Sequence, residues 1–276
     1  VKIGNGEKAI VSFNLPEEYN IVAPWKERNE INNSFTVKST YELVRSGLTY
    51  GKLEKGVVDI DGMEIIIATA GDFKAVIPMF KSIYEEIVPA IQKYYNDKKT
   101  DKYVVIVNNA PRTEKVQPYF SGEALNQSMS FISPMVPTAD FMPLFWYILT
   151  HEYVHIWNGI NIQVLNESEE TWFMEGFTDY ISLGILYQLD KMLLKQLINN
   201  YQVVLIDSKL NKRFLENGPF SKFYRAEDNS SPSRIGVWIG WQIVRSYMEY
   251  NDVPLQKMLK TESEEIFKKS KYKPKK

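Results

Sequence analysis

The sequence contains no cysteine. A disulfide framework, an iron–sulfur cluster and a thiolate zinc site are therefore excluded. The absence leaves the compartment open, because a domain of this size buries a sizeable core without cross-links. A charge excess is also missing. Lys and Arg number 33 against 34 Asp and Glu, a formal net charge of −1. No global field draws the chain to nucleic acid or to an anionic membrane, and nucleic acid is not an expected partner. No apolar run approaches the roughly 20 residues of a membrane-spanning helix, so no transmembrane segment is expected. The chain begins at Val1 without a basic-then-apolar leader, and it reads as a mature or trimmed chain. Histidine is the informative scarcity. There are two in 276 residues, so any metal site built on imidazole has to use His151 and His155.

What is present is an ordinary globular composition, 44% apolar and 24% charged, with a high aromatic fraction of 13%. Residues 9–15, 34–40, 56–60 and 63–70 are rich in β-branched and aromatic side chains and are separated by Gly, Asn, Pro and Asp. They read as strands of a small β-rich region. Asp72 is placed to cap a helix from Phe73 to about Tyr95, with Pro78 and Pro89 expected to kink it. Residues 102–109 read as a buried strand, and 110–137 as loops with one short edge strand. From Asp140 the pattern is mainly helical: 141–159, about 169–189, 190–206 and 235–250, with Thr261 and Glu264 spaced as a capping box for a last short helix. The basic tail 268–276 reads as a solvated terminus.

The chemistry concentrates in His151-Glu152-Tyr153-Val154-His155. Four residues advance a helix by a little over one turn, so the two histidines project from one face and can reach one Zn²⁺. Glu152 stands about a quarter-turn from His151, beside the metal, as a general base. The flanking residues are apolar round the whole helix, which is the signature of a buried segment. Unpaired ionisable groups there would cost several kcal/mol, and a metal in a wet cleft removes that cost. The competing reading is a pair of core histidines bonded to carbonyls.

Glu175 follows His155 by twenty residues, on the next helical segment. An αα-hairpin could bring it alongside and complete a His₂Glu set with one open position, as catalytic zinc requires. Asp179 shares the Glu175 face, placed to accept the second ring N–H of a ligand histidine. Its alternative is an exposed carboxylate.

HEYVHIWNG followed by WFMEGFTDY resembles the gluzincin peptidases, and most of all the glycyl-aminopeptidase family, which pairs HExxH-x-W-N with W-x-x-E-G-x-T-x-Y. The positions that match are His151, Glu152, His155, Trp157, Asn158, Trp172, Glu175, Gly176, Thr178 and Tyr180. The chain reads as α+β, with a β-rich region over 1–70, and the resemblance implies a thermolysin-like, mainly helical catalytic domain in the remainder, 71–276. It implies one Zn²⁺ held by His151, His155 and Glu175, and hydrolysis of a peptide or protein substrate with Glu152 as base. The segment from Arg234 to Tyr247 and the Lys-Ser-Lys-Tyr-Lys-Pro ending resemble instead predicted zinc-protease lipoproteins and the gliding-motility lipoprotein B-like group of Bacteroidetes. That implies an extracytoplasmic protein: secreted, periplasmic or held by a lipid anchor upstream.

Two positions depart from the family. The downstream oxyanion donor cannot be histidine, since none remains, which leaves Tyr224, Arg234 and Tyr247; Tyr224, in a loop-rich stretch, is the preferred one. Aminopeptidases of this clan also carry Gly-x-x-Glu on an edge strand, the acid holding the substrate ammonium. Here the stretch is Gly122-Glu123-Ala124-Leu125-Asn126, with Leu125 in the acid's place and Glu123 two residues away on the same strand face. Gly122 and Glu123 are the expected substrate-binding residues, and an edge strand that binds an internal peptide segment is the other reading. Three function classes follow: an active zinc peptidase, a zinc-stabilised binding or structural protein of the cell envelope without turnover, and a non-peptidase metal hydrolase, which the Trp-x-x-Glu-Gly helix disfavours.

Overall fold

The computed structural model describes residues 8–29, 31–109, 120–161, 167–191 and 235–273. The chain divides into two compact units, Val1–Ile156 and Trp157–Lys276.

The first unit is built on a five-stranded mixed sheet. Its strands are β6 (Leu53–Ile60), β7 (Met63–Ala70), β8 (Lys102–Asn109), β9 (Ser121–Leu125) and β10 (Ser128–Ser133), in the order β6-β7-β8-β10-β9. β7, β8 and β10 run parallel, while the outer strands β6 and β9 are antiparallel to their neighbours. The sequence pattern explains the positions. β7 and β8 are continuous runs of Ile, Val and Tyr because both of their faces are covered. β6 alternates buried and exposed residues, as suits an edge. β6 and β7 are joined through Asp61 and Gly62, both at positive φ, 50° and 74°, in the short Asp-Gly connection that favours a hairpin.

Parallel strands need a crossover, and between β7 and β8 it is a 3-10 turn (Gly71–Val76) followed by α2 (Ile77–Tyr95). Asp72 thus lies in the 3-10 turn rather than at a helix cap, and the residue before that turn makes no side-chain cap. Pro78 sits in the first helical turn, where no intrahelical N–H is needed, and Pro89 lies inside. Asn96 ends the helix in the left-handed region, φ 50°.

Ahead of the sheet, β1 (Ala9–Ser12), β4 (Ser34–Val37) and β3 (Lys26–Glu27) form a three-stranded antiparallel sheet, and β2 (Asn20–Val22) pairs with β5 (Thr49–Gly51). Ile21, Ala23, Trp25, Phe35 and Val37 are the buried core of this part. The short α1 (Thr40–Arg45) is capped by Ser39, whose hydroxyl accepts the Glu42 N–H.

Helix α3 (Met142–Asn161) begins in the first unit, and the division between units falls within it. It packs on the sheet through aromatic edges: Phe145 meets Phe131 at 5.0 Å and Phe120 at 4.9 Å between ring centroids, and Phe80 of α2 at 6.1 Å.

The second unit contains the end of α3, then α4 (Glu167–Gln188), α5 (Ile235–Asn251), α6 (Leu255–Met258) and α7 (Ser263–Lys269) among the described residues. The Ser246 hydroxyl donates to Ser270 O at 2.6 Å and tethers the carboxyl-terminal segment to α5. The expected capping box of the last helix does not form. Glu262 is the cap residue, without a side-chain bond, and the Thr261 hydroxyl donates to Lys257 O instead. In the basic tail, Lys268 and Lys269 pair with Glu264 and Glu265 one helical turn away. Of the helix expected over 190–206, Asp190 adopts φ 54° just past α4, and 192–206 lie outside the described residues. No helix among the described residues is long and apolar enough to cross a membrane.

Candidate metal centre and its surroundings

His151 and His155 occupy successive turns of α3, and the helical spacing brings their rings together. The centroids are 4.8 Å apart and nearly perpendicular, and the two Nε2 atoms approach to 3.1 Å. Two nitrogens bound to one tetrahedral zinc at about 2.0–2.1 Å would stand roughly 3.3 Å apart. The donor pair therefore fits a single ion. His151 is 3% exposed and His155 half-buried. Tyr147 lies one turn before His151, its ring 5.6 Å away.

Glu152 is half-buried and rests against the edge strand β9. A Cβ built on Gly122 would come within 2.5 Å of Glu152 Cγ, 2.9 Å of its Cδ and 2.8 Å of Ile148 Cγ2. Gly122 thus leaves the space that the glutamate stem occupies. A neighbour on an antiparallel strand points to the opposite face, and Glu123, next to Gly122, is exposed. Leu125 instead lies against Gly47: a Cβ there would meet Leu125 Cδ1 at 2.7 Å and Ile106 Cδ1 at 3.2 Å.

Beneath the helix, Tyr84, Tyr103 and Tyr153 form a buried cluster with ring centroids 5.1–6.2 Å apart. The Tyr84 hydroxyl donates to Met129 Sδ at 3.0 Å and that of Tyr153 to Met63 Sδ at 3.3 Å. The Tyr103 hydroxyl is buried without a hydrogen-bond partner. Burial pushes all three phenols above their ordinary pKa, and the neighbouring Glu152 carboxylate adds to the push on Tyr84 and Tyr103.

In the second unit, Glu175 lies half-buried on α4. Around it Gly176, Phe177, Thr178, Asp179, Ile181 and Ser182 are all buried. Asp179 is 4% exposed, which removes the exposed-carboxylate alternative. Asn158 Nδ2–H donates to Thr178 Oγ1 at 3.0 Å, and the Thr178 hydroxyl donates to Met174 O at 2.9 Å. Asn158 stands three residues past His155 and Thr178 three past Glu175, so the same offset joins the end of α3 to α4. Tyr180 is beside Glu249 and Arg245, its phenol raised mainly by burial. Tyr247 is buried on α5, with its backbone oxygen accepting from Asn251 Nδ2. Tyr224 and Arg234 lie outside the described residues.

The fold is similar to that of solved structures of peptidases. An aminopeptidase N family protein from Idiomarina loihiensis matches 95% of this chain with a TM-score of 0.62 at 13% identity, over 49% of its own length. An M1 zinc metallopeptidase from Deinococcus radiodurans matches 95% with a TM-score of 0.56 at 13% identity, over 56% of its length. A mutant M1 zinc metallopeptidase from the same organism, bound to a Tyr-Ser-Ala substrate, matches 92% with a TM-score of 0.53 at 14% identity, over 54% of its length. The chain thus spans about half the length of these structures, and at such identities the likeness is one of fold. A family model described as gliding motility protein GldB matches residues 184–274, about a third of the chain. No curated protein matches.

Proposed function

We propose that the chain is the catalytic part of a zinc-dependent peptidase of the cell envelope. His151, His155 and Glu175 hold the ion, and Glu152 is the general base. The observation that carries the reading is the convergence of the two Nε2 atoms at 3.1 Å beside a carboxylate lodged on an edge strand. Glu175, half-buried on α4, is proposed as the third ligand. When bound, zinc would supply Lewis acidity for the scissile carbonyl and lower the pKa of a water. Glu152 takes a proton from the attacking water and delivers it to the leaving amine. β9 is the outermost strand of its sheet among the described residues, and its outer edge, level with Glu152 at Gly122, would offer backbone groups to an extended peptide. Asp179 is proposed to orient a ligand imidazole, Glu123 to contact substrate and Tyr224 to stabilise the oxyanion. A purely structural zinc site has no use for a non-ligand glutamate at this place.

The match to the gliding motility family favours a second reading, a zinc-stabilised envelope protein without turnover. One experiment separates the two. Metal content and hydrolysis of a peptide library are measured on the purified chain and on Glu152→Gln. The peptidase reading expects about one zinc per chain in both, with hydrolysis lowered by a factor of roughly 10²–10⁴ in the variant. Full activity in Glu152→Gln refutes the assigned base, and zinc without any chelator-sensitive hydrolysis favours the second reading.

A further inference from the structure

Gly176 directly follows Glu175 on α4 and meets α5. A Cβ built on it would lie 2.5 Å from Gly240 Cα, 2.5 Å from Trp241 N and 2.6 Å from Gly240 C. All three are backbone atoms, so no side chain can rotate to make room. Gly184, two turns along the same helix, has nothing within 4 Å of its built Cβ. The close approach is therefore one fixed crossing point. Near it α4 is also tied down by the Asn158–Thr178 bond.

We propose that the crossing of α4 and α5 at Gly176 and Gly240 is the positioning device for the Glu175 carboxylate. This rests on the zinc reading above. Separating two helix backbones to admit a methyl group moves the whole turn, and the adjacent residue travels with it. A shift of about 1 Å is large against a zinc–oxygen bond of about 2.0–2.2 Å. α5 falls inside the segment matched by the gliding motility model. That segment thus backs the helical turn that carries Glu175. Gly176 and Gly240 are positioning residues and touch neither metal nor substrate.

The test uses the whole chain with Gly176→Ala, and Gly184→Ala as the control on the same helix. Zinc affinity is measured by competition with a chelating dye, and the cobalt-substituted protein is compared by its visible absorption spectrum. Gly176→Ala is expected to bind zinc 10- to 100-fold more weakly, the usual loss for a residue behind a ligand, with an altered cobalt spectrum. Gly184→Ala is expected to keep both. Should Gly176→Ala not fold, Gly240→Ala brings the bulk from α5 and is read in the same way. A folded variant with the parent affinity and the parent cobalt spectrum overturns the proposal while leaving the zinc reading intact. A parent chain that binds neither metal overturns both.

Discussion

Replacing Gly122 by alanine tests the contact between the edge strand and the proposed base. The new methyl would fall 2.5 Å from Glu152 Cγ and 2.8 Å from Ile148 Cγ2, against an ordinary carbon–carbon separation of about 3.5 Å. Roughly 1 Å has to be found. Glu152 is the flexible partner, so its stem yields first and the carboxylate moves by about that amount. A misplacement of this size costs on the order of 100-fold in rate. If the strand yields as well, overpacking adds about 1–3 kcal/mol of destabilisation. The assay is peptide hydrolysis by the purified variant, with zinc content measured on the same sample and the urea midpoint recorded. The expected result is a fall in kcat of about 100-fold at unchanged zinc, because His151 and His155 are not displaced. A variant with full zinc and full kcat would refute both the placement of the base and the reason given for a glycine at this position.

Two further outcomes follow from the tyrosine cluster. Tyr103→Phe removes a hydroxyl that is buried without a partner, so it should stabilise the chain by about 1 kcal/mol in urea unfolding; a clear loss of stability would contradict this. The same cluster sets a pH dependence. The phenols of Tyr84, Tyr103 and Tyr153 titrate above their ordinary pKa in the folded chain, so above about pH 10 the unfolded chain releases protons that the folded one keeps. Stability is then full below pH 10 and falls as pH rises, by up to about 1.4 kcal/mol per pH unit for each tyrosine. A urea midpoint that stays level from pH 9 to pH 11, or a slope unaltered by Tyr103→Phe, would contradict it.

The parts of the fold legible in the sequence are those where burial writes an unambiguous pattern. β7 and β8 coincide with the apolar runs 63–70 and 102–109, because a strand covered on both faces has no alternation to misread. α3 is legible for the same reason, being apolar on nearly every side. β9 and β10 are less so. The run Ser-Gly-Glu-Ala-Leu lacks β-branched residues, and at Gly122 a larger side chain does not fit because Glu152 and Ile148 of α3 lie so close. The hairpin that joins them turns at Asn126 and Gln127, with Gln127 at φ 52° in place of the glycine that usually announces such a turn. At the site, the histidine pair follows from local helical spacing. The Gly122–Glu152 and Gly176–Gly240 contacts do not, since they join residues far apart in the chain and depend on packing distance rather than on residue type.

As the outermost strand of its sheet among the described residues, β9 carries a cost. A strand whose amide and carbonyl groups await an extended chain offers the same welcome to a second copy of itself, and thus to ordered self-association. The strand is only five residues long and carries the exposed carboxylate of Glu123 at its centre. Stacking two such edges would set like charges close together. On the proposed function, a short, charged edge would still admit a passing peptide while discouraging the permanent pairing that seeds an aggregate.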